Sequence, residues 1–432
     1  MLPAGVGVYA ATAALTLVGA WWWNGSAADS WTPFVVAILG ATVPLALGLA
    51  LRFGIGFDRV IGVLALAMML VAVHGIVRGW IPPRPYGDGP HVIDFLEKGY
   101  VFPRWLLGMA IALWLYLGVW RFPPIASAVP ASIGGAAVFA ALLCAVAMGV
   151  GALLVLQRWP DRLAVILPML TPVWLLFASG YVEYYPLVAA AWLASLAWMF
   201  ERPLEDRPPW AIGALVGSLP LMYLPLAPVS ALLFVAYAMR RRTAIVSAAA
   251  IAVGVFAIIV TVTFGNIPMF ISTLYGEMNF GDYHSPARYV GQAAGPSSIF
   301  FASRHALRSR HLREVFYALF WAGGWVTLPI VASVAIIAVR RCHAWWRDAR
   351  AWLGAVLVGW FIYYSVFMIP KLEPARDVDL FWPAYLAWAF ISGRLVDAAR
   401  TSSRARYLVL CVVTGASIAV SGFLLLGKLP RL

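Results

Sequence analysis

Apolar runs of roughly bilayer length alternate with short polar loops along the whole 432-residue chain. They fall at about 4–23, 33–51, 60–80, 131–156, 163–180, 187–200, 243–264, 315–339, 351–370, 380–397 and 405–427. About 20 apolar residues cross the hydrocarbon core of a bilayer. The pattern therefore predicts an all-α fold, a polytopic bundle of transmembrane helices. Two stretches fit it less simply. "RWLLGMAIALWLYLGVW" (104–120) is short for a crossing, and the apolar run 210–239 is interrupted by Pro220, Pro225 and Pro228. Proline removes a backbone donor and clashes with the preceding turn. The second run is thus one broken helix or a hairpin of two short ones.

Composition strengthens the membrane reading. Hydrophobic residues make up 63% and charged ones 11%, and the mean hydropathy is +0.86; a soluble domain is about a quarter charged. The net charge of +13 is dispersed between the apolar runs, which speaks against a nucleic-acid partner. Cys144, Cys342 and Cys411 are far apart, so neither a disulfide framework nor a cysteine metal cluster is expected. The first run ends in "WWWNGS" and has no basic stretch before it, so it reads as a retained span and not a cleaved signal. The abundance of Ala, Arg and Trp fits a bacterial chain, which places the protein in the cytoplasmic (inner) membrane.

Charge then chooses between topologies. The basic loops are Arg52/Arg59, "QRWPDR" (157–162), "ERPLEDR" (201–207), "RRR" (240–242), "RRCHAWWRDAR" (340–350) and "RLVDAARTSSRAR" (394–406). If 104–120 lies along the outer face and 210–239 is a hairpin, all of them face the cytoplasm, as Lys and Arg prefer. That solution has thirteen spans, with the N-terminus inside and the C-terminus outside. It also puts residues 81–130, the tip "GYVEYYP" (180–186), the loop 265–314 and "PKLEPARDVD" (370–379) together on the outer face.

These polar segments carry the candidate chemistry. In "RPYGDGPHVIDFLEKG" (84–99), Gly87 and Gly89 flank Asp88, and prolines stand at 82, 83, 85 and 90, punctuation that fixes a turn. Beyond it, "HVIDFLEKG" reads as a short amphipathic helix. Val92, Phe95 and Leu96 form its apolar face, Asp94 and Glu97 share another, and Gly99 is its stop. A carboxylate held there suits general-base work on a hydroxyl or metal coordination through oxygen; alternatively, the acids balance Arg84, Lys98 and Arg104. Glu183 lies between two spans beside Tyr181, Tyr184 and Tyr185. Such a group binds sugar by ring stacking and carboxylate acceptance, or forms an interfacial aromatic belt. "SRHALRSRHLRE" gathers Arg304, His305, Arg308, Arg310, His311 and Arg313. Arginine forks take phosphate oxygens bidentately, so this cluster holds a lipid phosphate or adheres to anionic headgroups. Finally, "PKLEPARDVDLFWP" compresses Lys371, Glu373, Arg376, Asp377 and Asp379 between prolines, as either a shaped site or a set of mutual ion pairs. Walker A, Rossmann, HExxH and GxSxG patterns are missing from the sequence.

Read together, "YGDGPHVIDFLEKG", "GYVEYYPL" and "RDVDLFWP" resemble bacterial members of the GT-C superfamily of polytopic glycosyltransferases. The likeness is architectural over most of residues 60–400. It implies a GT-C-like helical bundle with external in-plane helices, and transfer of a sugar from a polyprenyl-phosphate donor. It further implies Asp88 as the catalytic base in the first large external loop, with 104–120 as an in-plane helix. Asp94, Glu97, Glu183, Tyr184, Lys371, Asp377 and Asp379 would then bind substrate, and Arg304, His305, Arg308, Arg310 and His311 would bind phosphate. No metal-ligand set is assigned, although a divalent cation (Mg or Mn) is compatible with the acids. The chain departs from the pattern in having two spans before the loop and a single Asp in place of an acidic pair. The division expected is 1–58 as two N-terminal spans, 59–400 as the GT-C-like module and 401–432 as a last span with a short tail. The rival readings are a non-catalytic subunit bound to membrane-protein partners, or a lipid or polysaccharide transporter. Membrane lipids are partners under every reading.

Overall fold

The computed structural model describes residues 57–85, 89–99, 106–132, 134–156, 162–169, 180–182, 185–223, 226–265, 267–272 and 382–398, with isolated positions at 309, 312–313 and between 353 and 360. The described part is helical throughout, apart from one two-residue bridge. Its elements are α1 (Phe57–Val77), β1 (Arg84–Pro85), α2 (Gly89–Lys98), α3 (Leu106–Leu115), α4 (Pro123–Ala126), α5 (Ala136–Leu156), α6 (Arg162–Met169), β2 (Tyr181–Val182), α7 (Tyr185–Glu201), α8 (Pro209–Met222), α9 (Ala227–Arg240), α10 (Ile245–Phe264) and α11 (Trp382–Ala398). A π-turn, Tyr116–Trp120, continues α3.

Among the described residues, two segments are long and apolar enough to cross a membrane, Arg59–Val77 and Arg242–Phe264, with mean hydropathies of 2.6 and 2.7. At 1.5 Å per residue they measure roughly 28 and 34 Å, against a hydrocarbon core of about 30 Å. Only 17% of the second is buried; Val246, Val253, Ile258 and Val262 all project outward. Such an exposed apolar face fits a helix in contact with lipid or with further apolar segments.

The run 210–239 forms the hairpin. α8 and α9 have 14 residues each, about 21 Å apiece, shorter than the roughly 20 residues of an ordinary span. The break falls at Tyr223–Leu226. Pro220 is accommodated inside α8, and Pro228 lies in the first turn of α9, where its missing N–H costs nothing. Ser230 Oγ donates to the Val216 carbonyl at 2.6 Å, tying the two arms. α8 also packs closely on α10. A Cβ on Gly213 would lie 2.5 Å from the Ala248 carbonyl oxygen, and one on Gly217 2.4 Å from that of Ala252. This is the small-xxx-small contact by which helices associate when hydrophobic burial gives no advantage.

One end of the bundle gathers the described basic loops. Arg207 is buried, its Nη2 donating to the Trp198 carbonyl and to Glu201 Oε2, with its guanidinium over the Trp198 ring at 4.3 Å. Tyr237 Oη reaches the Arg207 carbonyl at 3.5 Å. Arg394, also buried, donates to the Phe200 carbonyl at 2.9 Å, and Asp397 Oδ2 accepts from Leu163 N at 2.8 Å. The starts of α6 and α8 and the ends of α7, α9 and α11 therefore meet at one level. The sequence reads 201–207 and 394–406 as solvated basic loops. The structure instead buries Arg207 and Arg394, whose guanidinium groups donate to the Trp198 and Phe200 carbonyls near the end of α7, where a helix leaves its carbonyls unpaired.

Candidate functional site

The opposite end is organised by the bridge between β1 and β2. They pair in parallel, Arg84 with Tyr181 and Pro85 with Val182, and Arg84 N donates to the Gly180 carbonyl at 2.7 Å. Gly180 has φ +80°, and a Cβ there would lie 2.4 Å from the Pro82 carbonyl oxygen. Only glycine meets both conditions. On the far side of the bridge, a Cβ on Gly89 would lie 2.4 Å from the Val182 carbonyl oxygen. Backbone therefore seats against backbone on both flanks. The "GDG" and "GYVE" segments, almost a hundred positions apart, are joined at this point.

From Gly89 the chain enters α2. Val92, Phe95 and Leu96 are 2%, 4% and 0% exposed, so the apolar face expected from their spacing is the buried one. It packs on α3 and α5. Gly99, at φ +75°, closes the helix through a bond from its N–H to the Phe95 carbonyl. Asp94 and Glu97 are on the outer side: Glu97 is exposed, and Asp94 is partly exposed. Lys98 Nζ lies 2.7 Å from Asp94 Oδ1 and donates to Oδ2 at 2.9 Å. A pair this open contributes only a few tenths of a kcal/mol, so it leaves Asp94 accessible to a ligand.

α3 and its π-turn lie across this same end. Leu107 packs with Leu221 and Val260, near the ends of α8 and α10. Gly108 stands beside Val188, one turn into α7. Tyr116 and Trp120 make ring contacts with Phe139, in the first turn of α5, at 5.1 and 5.6 Å. The contacts at both ends of the segment are thus with the same end of the bundle. It does not descend to the basic end.

Of the residues marked by the sequence, Asp94 and Glu97 are described. Asp88, Glu183, Tyr184, Lys371, Asp377, Asp379, Arg304, His305, Arg308, Arg310 and His311 lie outside the described residues. Among the described residues, no three His, Cys, Asp or Glu side chains are placed to hold a metal ion. The sequence reading passed over Gly180 and Val182 as parts of the site. The signal was the glycine before "YVE", since a glycine beside a strand marks close backbone approach. Comparison with known proteins returns no matching family model, no matching curated protein and no matching solved structure.

Proposed function

We propose that this protein is a polytopic glycosyltransferase of the inner membrane, of the GT-C type. It would use thirteen spans with the N-terminus inside, and transfer a sugar from a polyprenyl-phosphate donor to an extracytoplasmic acceptor. The observation that carries the reading is the bridge at Arg84–Pro85 and Tyr181–Val182. It joins the segment leading to Asp88 with the segment leading to Glu183, at the end of the bundle away from the buried Arg207 and Arg394. The placement of α3 across that end supports an in-plane helix beside the site.

In the proposed reaction the Asp88 carboxylate takes the proton of the acceptor hydroxyl as its oxygen attacks the anomeric carbon. The bond from that carbon to the phosphate oxygen breaks, and the lipid phosphate leaves with the electron pair. Arg304, His305, Arg308, Arg310 and His311 hold the phosphate and offset the charge it gains. Asp94, Glu97, Glu183, Tyr184, Lys371, Asp377 and Asp379 orient sugar hydroxyls; if a divalent cation takes part, the acids among them would hold it, and it would offset negative charge.

The test is Asp88→Asn in membranes supplied with radiolabelled polyprenyl-phosphate sugars. Loss of a positioned base costs about 10²–10⁴ in turnover. Turnover equal to wild type would remove Asp88 from this role, and absence of transfer by the wild-type protein from a panel of such donors would remove the reaction.

A further inference from the structure

The turn between α9 and α10 presents three consecutive arginines, Arg240, Arg241 and Arg242, all exposed. Arg240 ends α9, Arg241 adopts φ −133° and ψ 67°, and Arg242 opens a 3₁₀ turn running to Ala244. No carboxylate among the described residues pairs with any of them. The nearest acidic segment, Leu204–Asp206, packs on α9, yet Glu205 and Asp206 leave the trio unpaired. Buried Arg207, two positions from Glu205, directs its Nη2 inward to Glu201 and the Trp198 carbonyl. Three cations are thus left facing outward at the end opposite the bridge.

Apolar side chains fix their level. Trp210, Met239 and Val246 are 64%, 75% and 79% exposed, and each stands within a turn of the basic end of α8, α9 or α10. Tryptophan is enriched at the boundary between acyl chains and headgroups, and exposed Met239 and Val246 continue the apolar surface beside Trp210, which places the three guanidinium groups in the headgroup layer. By the positive-inside rule that layer is the cytoplasmic leaflet.

We infer that Arg240–Arg242, with Trp210, Met239 and Val246 as a hydrophobic collar, form a binding surface for anionic phospholipid headgroups of the cytoplasmic leaflet. Guanidinium forks take phosphate oxygens in pairs, and a juxtamembrane basic cluster draws anionic lipid from its leaflet. The inference is independent of the glycosyltransferase reading.

The full-length protein, purified in neutral detergent, is incubated with equimolar phosphatidylglycerol and phosphatidylcholine, and retained lipid is counted by native mass spectrometry. Wild type should retain phosphatidylglycerol preferentially, and added salt should weaken the preference. The triple variant Arg240→Gln, Arg241→Gln, Arg242→Gln should lose it by on the order of a hundred-fold, and Arg241→Gln alone by about five-fold. Gel filtration confirms that each variant is folded. If the triple variant is not, Arg241→Gln alone decides the matter. Equal retention of the two lipids by wild type, or an undiminished preference in the folded variants, would overturn the inference.

Discussion

Gly89 and Val182 meet backbone to backbone: a Cβ on Gly89 would stand 2.4 Å from the Val182 carbonyl oxygen. The contact sits where one acid-bearing segment leaves the parallel bridge and the other ends it. Gly89→Val therefore forces the segments apart, and the obstacle is backbone that cannot rotate away. Overpacking of this kind costs about 1–3 kcal/mol. The variant should show earlier thermal unfolding in detergent and, under the proposed reaction, a matching loss of sugar transfer. A variant with wild-type stability and turnover would show that the contact does not hold the site.

Asp94 separates stability from function. Its pair with Lys98 is exposed on both sides, at 39% and 63%, so Asp94→Asn should change stability by less than about 0.5 kcal/mol. Under the proposed reaction it raises the KM for the sugar donor while the unfolding temperature stays put. An unchanged KM would remove Asp94 from substrate binding.

Gly217 tests the packing of the hairpin. Replacement by Leu drives a side chain into the Ala252 backbone and opens the α8–α10 interface, with an expected loss of about 1–3 kcal/mol. Leu at Gly254 meets open space and serves as the control, with a far smaller effect. Equal effects at the two positions would mean that close helix approach contributes nothing.

Asp397 caps α6 from a helix more than two hundred positions away, through the bond from Leu163 N. Asp397→Ala leaves that N–H without its acceptor and should cost about 1 kcal/mol, with earlier thermal unfolding as the readout. Asp397→Asn retains an acceptor oxygen and should recover most of the loss.

Several parts of this molecule were legible in the chain. The spacing of Val92, Phe95 and Leu96 specified the buried face of α2, because a helix repeats every 3.6 residues whatever surrounds it. Pro220 to Pro228 specified that 210–239 breaks, because proline acts on its own turn. Charge asymmetry anticipated that 201–207 and 240–242 lie at the same end of the described bundle. Other features were not legible, since they depend on pairs remote in sequence. Nothing local to Arg207 or Arg394 says that each will be buried against a carbonyl of α7.

The amino-acid sequence by itself determined the helical class, the positions of the apolar segments and which acids and arginines are candidates for chemistry. Those follow from hydrophobic periodicity, backbone restriction and side-chain type, which are properties of short stretches. Only the tertiary structure decided that Arg84–Pro85 lies beside Tyr181–Val182, that both ends of α3 contact one end of the bundle, and that Arg240–Arg242 remain unpaired among the described residues. These relations depend on how close two backbones can come and on which donors find acceptors across the bundle, and both are settled only when distant segments pack.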